Sequence, residues 1–210
     1  MKVALFGASG ATGQCVAAAL LSEGVKVKAL CRKADVMADF AGELTVIQGE
    51  LDDKKAVSET LCGCDVAICV FGPRLPYTDI FCAEATAVIV ESMHKLGVHR
   101  LICQTGAMVG DYPNNRSWAF QEMVDLFNHR YPALAADRSE QERIVRSSGL
   151  QWTILKPPRL TTGHVNEEIE VGCDLPVGVL SSASRETIAH WLIRELRHPL
   201  HIGETLFFLD

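Results

Sequence analysis

No apolar run in these 210 residues approaches the ~18 that would cross a bilayer. Met1-Lys2 leads straight into Val3-Ala4-Leu5-Phe6-Gly7, too short an apolar stretch for a secretory leader. No membrane attachment is expected, and a cytoplasmic location is. Excess positive charge is missing too. Lys and Arg number 20 against 26 Asp and Glu, a net charge of −6, which argues against a general affinity for nucleic-acid backbone. Eight cysteines are present, but they lack the pattern of a secreted disulfide scaffold. Several lie inside apolar runs, such as Cys69 in Val66-Ala67-Ile68-Cys69-Val70 and Cys103 after Leu101-Ile102, and read as small buried hydrophobes. Cys62-Gly63-Cys64 has neither the spacing nor the two further ligands of a zinc site, so no metal is expected.

What is there is an ordinary globular composition, 48% hydrophobic and 22% charged. One domain over residues 1–210 is expected. Short β-type runs alternate with helical ones. Strands are expected at 2–6, 25–31, 44–48, 65–71, 100–104, 152–155 and 205–209, and helices at 12–23, 52–61, 78–96, 135–148 and 185–197. Ser184 is a plausible N-cap for the last helix. The run at 65–71 is apolar throughout, as in a strand buried on both faces. This alternation predicts an α/β fold, a doubly wound and mostly parallel sheet. Two segments break the rhythm, 72–77 and 107–131. Each follows the carboxyl end of a strand, where open α/β sheets take ligands. The second holds Tyr112, Trp118, Phe120, Phe127 and Tyr131 and reads as a lid-like insertion.

Between the first strand and the first helix lies Gly7-Ala8-Ser9-Gly10-Ala11-Thr12-Gly13. The first glycine permits a tight turn, the second lets backbone approach a pyrophosphate, and the third lets the helix sit close on the sheet. Unpaired N–H groups at the helix start complete an anion site. At the end of the second strand, an NAD enzyme would place an acid for the ribose hydroxyl. Here Arg32-Lys33 follows Cys31 instead. A planar fork and a point charge suit a 2′-phosphate, so NADP(H) is the expected cofactor.

The chain resembles the atypical short-chain dehydrogenase/reductases, close to the biliverdin IXβ reductase/flavin reductase type of the NAD(P)-binding Rossmann family. The matching segments are the glycine loop, Cys31-Arg32-Lys33, Gly49-Glu50-Leu51, Phe71-Gly72-Pro73-Arg74 and Cys103-Gln104-Thr105. They continue with Arg146-Ser147-Ser148-Gly149-Leu150, then Pro157-Pro158, then Ser184-Arg185-Glu186. The resemblance implies that Glu50 and Leu51 flank the adenine and that Phe71 and Gly72 border the nicotinamide-side ribose. It also implies that Thr105, Pro157 and Pro158 line the nicotinamide, with Ser9, Gly10, Ala11 and Thr12 at the phosphates. Two positions depart from that type. Gly106 stands where a serine follows the threonine, and Arg159 where a histidine follows the prolines.

The Tyr-x-x-x-Lys pair of the common short-chain enzymes is missing, since Tyr77, Tyr112 and Tyr131 are followed four residues on by Phe81, Arg116 and Ala135. A flavin-like ring needs no strong protein acid, because its nitrogen takes a proton from solvent. The expected function is an NADPH-dependent reductase of a flat conjugated acceptor, with Arg159, Tyr112 and Trp118 as substrate contacts and no catalytic side chain named. The alternative is a non-catalytic NADP(H)-binding sensor acting through a protein partner. A monomer or weak homo-oligomer is expected in either case.

Overall fold

The computed structural model describes residues 1–209, Ala34 by its backbone alone; Asp210, the last residue of the expected domain, lies outside the described residues. In chain order the first half runs β1 (Lys2–Phe6), α1 (Ala11–Ser22), β2 (Lys26–Cys31), β3 (Thr45–Gln48), α2 (Lys54–Leu61), β4 (Val66–Cys69), α3 (Cys82–Leu96) and β5 (Arg100–Gln104). The second half runs α4 (Trp118–Arg130), α5 (Pro132–Ser147), β6 (Gln151–Lys156), β7 (Arg159–Thr161), β8 (Glu170–Gly172), β9 (Ser182–Ser184), α6 (Arg185–Arg197) and β10 (Glu204–Leu209). Short 3₁₀ turns at Ala34–Phe40 and Pro113–Asn115 complete the chain.

Eight strands form one sheet in the order β3-β2-β1-β4-β5-β6-β10-β8. All neighbours pair in parallel except β8, which lies antiparallel on the edge. Alternation along β1 shows how the two faces are filled. Val3 and Leu5 point into a core built with α1 and α6, while Ala4 and Phe6 point into one built with α2, α3 and α5. The same alternation sends Ile102 to the first core and Leu101 and Cys103 to the second. The chain reverses from one face to the other at β1, and ligand crevices open at such a switch point.

Two expectations shift. The helix expected from residue 78 starts at Cys82, because its first free N–H groups are met by a distant carboxylate. Asp137 accepts from the Cys82 and Ala83 amides, both at 3.0 Å. The segment 107–131 is only partly loop. Ser117 caps α4 through its hydroxyl, which accepts from the Phe120 amide, and Phe120 and Val124 are buried against Ala107, Val177 and Phe207. Backbone bonds from Ser117 to Val177 and from Val177 to Asn115 stitch it to the stretch after β8. Trp191 is buried and Trp152 half-buried. His201 is half-buried, with Nδ1 2.7 Å from Glu195.

Candidate functional site

The glycine loop has the geometry its sequence promised. Gly7 adopts φ +90°, and a Cβ there would lie 2.7 Å from the Phe71 amide. At Gly13 an added Cβ would fall 2.1 Å from the Gly7 carbonyl, so only glycine lets α1 approach β1 this closely. Gly10 is the N-cap of α1, and no side chain caps the helix there. The first N–H groups of the helix are therefore offered to an anion.

Beside the loop a cavity of about 500 Å³ is lined by Ser9, Arg32, Lys33, Val36, Glu50 and Arg74. Arg32, Lys33 and Glu50, expected at the adenosine end of a dinucleotide, share one hollow over β2 and β3. Arg74 adds a third cation. Its guanidinium reaches 3.9 Å from the position of a Gly10 Cβ, between the cavity and the pyrophosphate loop. Arg74 lies in the Phe71-Gly72-Pro73-Arg74 segment, but a loop residue after β4 carries no local sign of where it points. Leu51 is half-buried next to the cavity and packs on the core under α2 and α3.

On the other side of β1 from this hollow lie the carboxyl ends of β4 and β5, where the resemblance puts the nicotinamide half of a dinucleotide. Phe71 is buried there and Gly72 exposed. Arg138 of α5 underlies both strand ends. Its Nη1 lies 3.8 Å from where a Gly72 Cβ would be, and its Nη2 donates to the Thr105 carbonyl at 2.7 Å. Pro157 is buried, and its carbonyl accepts from the Ala107 amide at 2.9 Å.

Thr105 arrives where expected, but its hydroxyl is committed. It donates to Glu142 Oε1 at 2.6 Å. The same carboxylate accepts from the Tyr112 hydroxyl at 2.9 Å, from Arg146 at 2.8 Å and from the Lys156 ammonium. Arg146 also donates to the Tyr112 oxygen. Lys156 is 0% exposed and further donates to the Val109 carbonyl at 2.7 Å. Burial lowers its pKa to about 7, against the opposing pull of Glu142. Lys156, 4.4 Å from the centre of the Tyr112 ring, is the unlooked-for centre of this cluster. A lysine ending an apolar strand was the available signal.

The three expected substrate contacts stand differently. Tyr112 is turned inward on Glu142 and packs edge-on against Phe207. Arg159 is exposed, and Trp118 is 82% exposed at the start of α4. Tyr77, the aromatic of the 72–77 segment, packs against Phe127 and Tyr131 instead. Among the described residues no group of three or more His, Cys, Asp or Glu is placed to hold a metal, and no helix is long and apolar enough to cross a membrane.

These features fit a dinucleotide on observations of the chain itself: an uncapped helix start behind a glycine-only approach, and three cations around one hollow. The comparisons agree. Among solved structures, ChuY, an anaerobilin reductase from Escherichia coli O157:H7, superposes with a TM-score of 0.84 at 18% identity, over 100% of this chain and 97% of that one. A short-chain dehydrogenase/reductase from Veillonella parvula, in complex with NADP, gives 0.79 at 15% identity, covering 100% and 94%. The oxidoreductase ylbE from Lactococcus lactis gives 0.80 at 15%, covering 100% and 91%. At these identities the likeness is one of fold. A family model described as NAD(P)H-binding matches residues 7–199, and the chain belongs to that NAD(P)H-binding family.

Proposed function

We propose that this protein is an NADPH-dependent reductase of a flat conjugated acceptor, a flavin or a ring system like it. The observation that carries the reading is the commitment of the acids near the nicotinamide end. The hydroxyls of Thr105 and Tyr112 both donate to Glu142. Neither is poised to protonate a substrate ketone, which favours an acceptor that takes its proton from water.

When bound, the reduced nicotinamide supplies the hydride. The chain's own work is positioning. Ser9 and the start of α1 would hold the pyrophosphate, and Arg32, Lys33 and Arg74, which line one hollow, would hold the 2′-phosphate. Phe71, Gly72, Thr105, Pro157 and Pro158 would line the nicotinamide. Arg159, exposed at the start of β7, reaches an anionic tail of the acceptor. Tyr112 stiffens the wall of the site through Glu142, and Trp118 offers an open aromatic face at the start of α4.

The test is NADPH oxidation followed with FMN and with an uncharged quinone, in wild type and Arg159→Ala. Turnover with both acceptors, and a higher KM for FMN alone in the variant, is the expected result. Tight NADPH binding without turnover on either acceptor would favour a sensor acting through a protein partner.

A further inference from the structure

Two polar side chains end β5, and they meet opposite fates. Thr105, just past the strand, is saturated: its hydroxyl donates to Glu142, its amide to the Leu155 carbonyl, and its carbonyl accepts from Arg138. Gln104 is 7% exposed, and its Oε1 is buried without a hydrogen-bond donor among the described residues. Two other buried polar atoms share that condition, the Nε atoms of Arg100 and Arg185. Both belong to guanidinium groups that donate elsewhere, to Glu195 and to the Thr161 carbonyl. A buried carbonyl oxygen left unpaired costs stability and calls for an explanation.

The place of Gln104 supplies one. Alternation puts its side chain on the same face of β5 as Ile102, which packs with Ala8 of the glycine loop. The adenosine hollow lies over β2 and β3, and the pyrophosphate loop follows β1. Strand order then carries the remaining half of the dinucleotide to β4 and β5, and β5 stands two strands, about 10 Å, from β1. An unpaired acceptor at that point faces a ring whose amide substituent has N–H groups to give.

We propose that the Gln104 side-chain oxygen accepts a hydrogen bond from the nicotinamide carboxamide and so sets which face of the ring is presented to the acceptor. The assignment rests on the cofactor lying along the sheet edge as described. It needs no particular acceptor, and it deepens the reductase reading by naming a positioning residue.

The experiment compares wild type with Gln104→Leu and Gln104→Met by calorimetry, using three ligands. NADP⁺ carries the carboxamide. Its 3-acetylpyridine analogue replaces the amide NH₂ by a methyl group. The third, 2′,5′-ADP, lacks the nicotinamide half. Both variants should lose about five- to tenfold in affinity for NADP⁺, the worth of one hydrogen bond. Neither should lose more than about twofold on the analogue or on 2′,5′-ADP, and the latter also shows that the fold is intact. The free variants should melt about 2–4 °C higher than wild type, because the unpaired oxygen is gone. Equal losses on NADP⁺ and on the analogue would overturn the proposal, making Gln104 a matter of shape. No loss on NADP⁺ would overturn it as well. If wild type binds 2′,5′-ADP no better than it binds adenosine, the phosphate hollow itself has been misassigned, and the proposal falls with it.

Discussion

At the scale of single residues, charge is handled in two ways in this protein. Arg32 is exposed and lines an open hollow, so its value lies in the ligand it meets. A guanidinium fork on a 2′-phosphate contributes about 1.5–3 kcal/mol. Arg32→Ala should therefore lower the preference for NADPH over NADH by roughly ten- to a hundredfold, read as the ratio of dissociation constants. An unchanged ratio would remove Arg32 from the phosphate site. Lys156 is the opposite case, an ammonium enclosed with Glu142, whose pKa burial lowers from 10.5 to about 7. A lysine with a depressed folded pKa leaves the native state with fewer bound protons than the unfolded chain between those two values. Stability from this group is then full above about 10.5 and lost as pH falls toward 7. Urea unfolding should show wild type gaining up to ~1.4 kcal/mol per pH unit in that window relative to Lys156→Met. A flat difference between the two proteins would show that Lys156 stays charged throughout.

Among the elements, α1 carries the sharpest test, because two of its glycines do different work. A Cβ at Gly13 would collide with the Gly7 carbonyl and with Ala8 backbone. Gly13→Ala should push the helix off β1 and cost about 2–3 kcal/mol, visible in urea unfolding. At Gly10 the nearest atoms are the Gly7 carbonyl at 3.3 Å and the Arg74 guanidinium at 3.9 Å. Gly10→Val should spare the fold and fill the space a pyrophosphate needs, so its signature is lost NADPH binding at nearly unchanged stability. The same helix shows why parts of the chain were readable. A strand, a glycine loop and a helix in succession are local patterns, and β5 falls on the very residues expected, Arg100–Gln104. Asp53 caps α2 from one residue away, a local device too. The cap of α3 comes from Asp137, more than fifty residues on, and no window of sequence contains both partners. The helix α4 inside segment 107–131 is hidden from sequence for a related reason. Its aromatics face different neighbours, Phe120 toward Phe207 and Phe127 toward Tyr77, so no single stripe announced α4. In the candidate site, the glycine loop and the paired cations of the hollow are legible because glycines and adjacent charges are local signals. Gln104, Arg138 and Glu142 are not, since their meaning depends on strands brought together by crossovers.

For the molecule as a whole, the sheet divides its labour between its two edges. The carboxyl edge holds the glycine loop, the cationic hollow and the ends of β4, β5 and β6. Near the amino end of β5, Arg100 donates to Glu195 of α6 at 2.8 Å, and Glu195 also accepts from the His201 amide. This buried pair joins the sheet to its covering helix far from the hollow. Removing one partner strands the other charge, so Glu195→Ala should cost about 3–5 kcal/mol of stability. Its dissociation constant for NADPH, measured below the melting transition, should match wild type. A weakened affinity there would mean that the two edges are coupled through the sheet.

The cysteines have a use that their burial creates. Cys62 and Cys173 are exposed, while Cys31, Cys64, Cys69, Cys82 and Cys103 are buried in the two cores. Desolvation pushes the Cys103 thiol up to about 12, and Cys69, its partner across β4 and β5, well above its usual range. A thiolate-specific reagent should therefore mark Cys62 and Cys173 first, then half-exposed Cys15, and wait on the molecule for the five buried thiols. Each slow label would record an opening event, with Cys69 and Cys103 at the centre of the sheet as the last to be stamped. The chain thus carries its own stopwatch for unfolding, one that a bound nucleotide should slow.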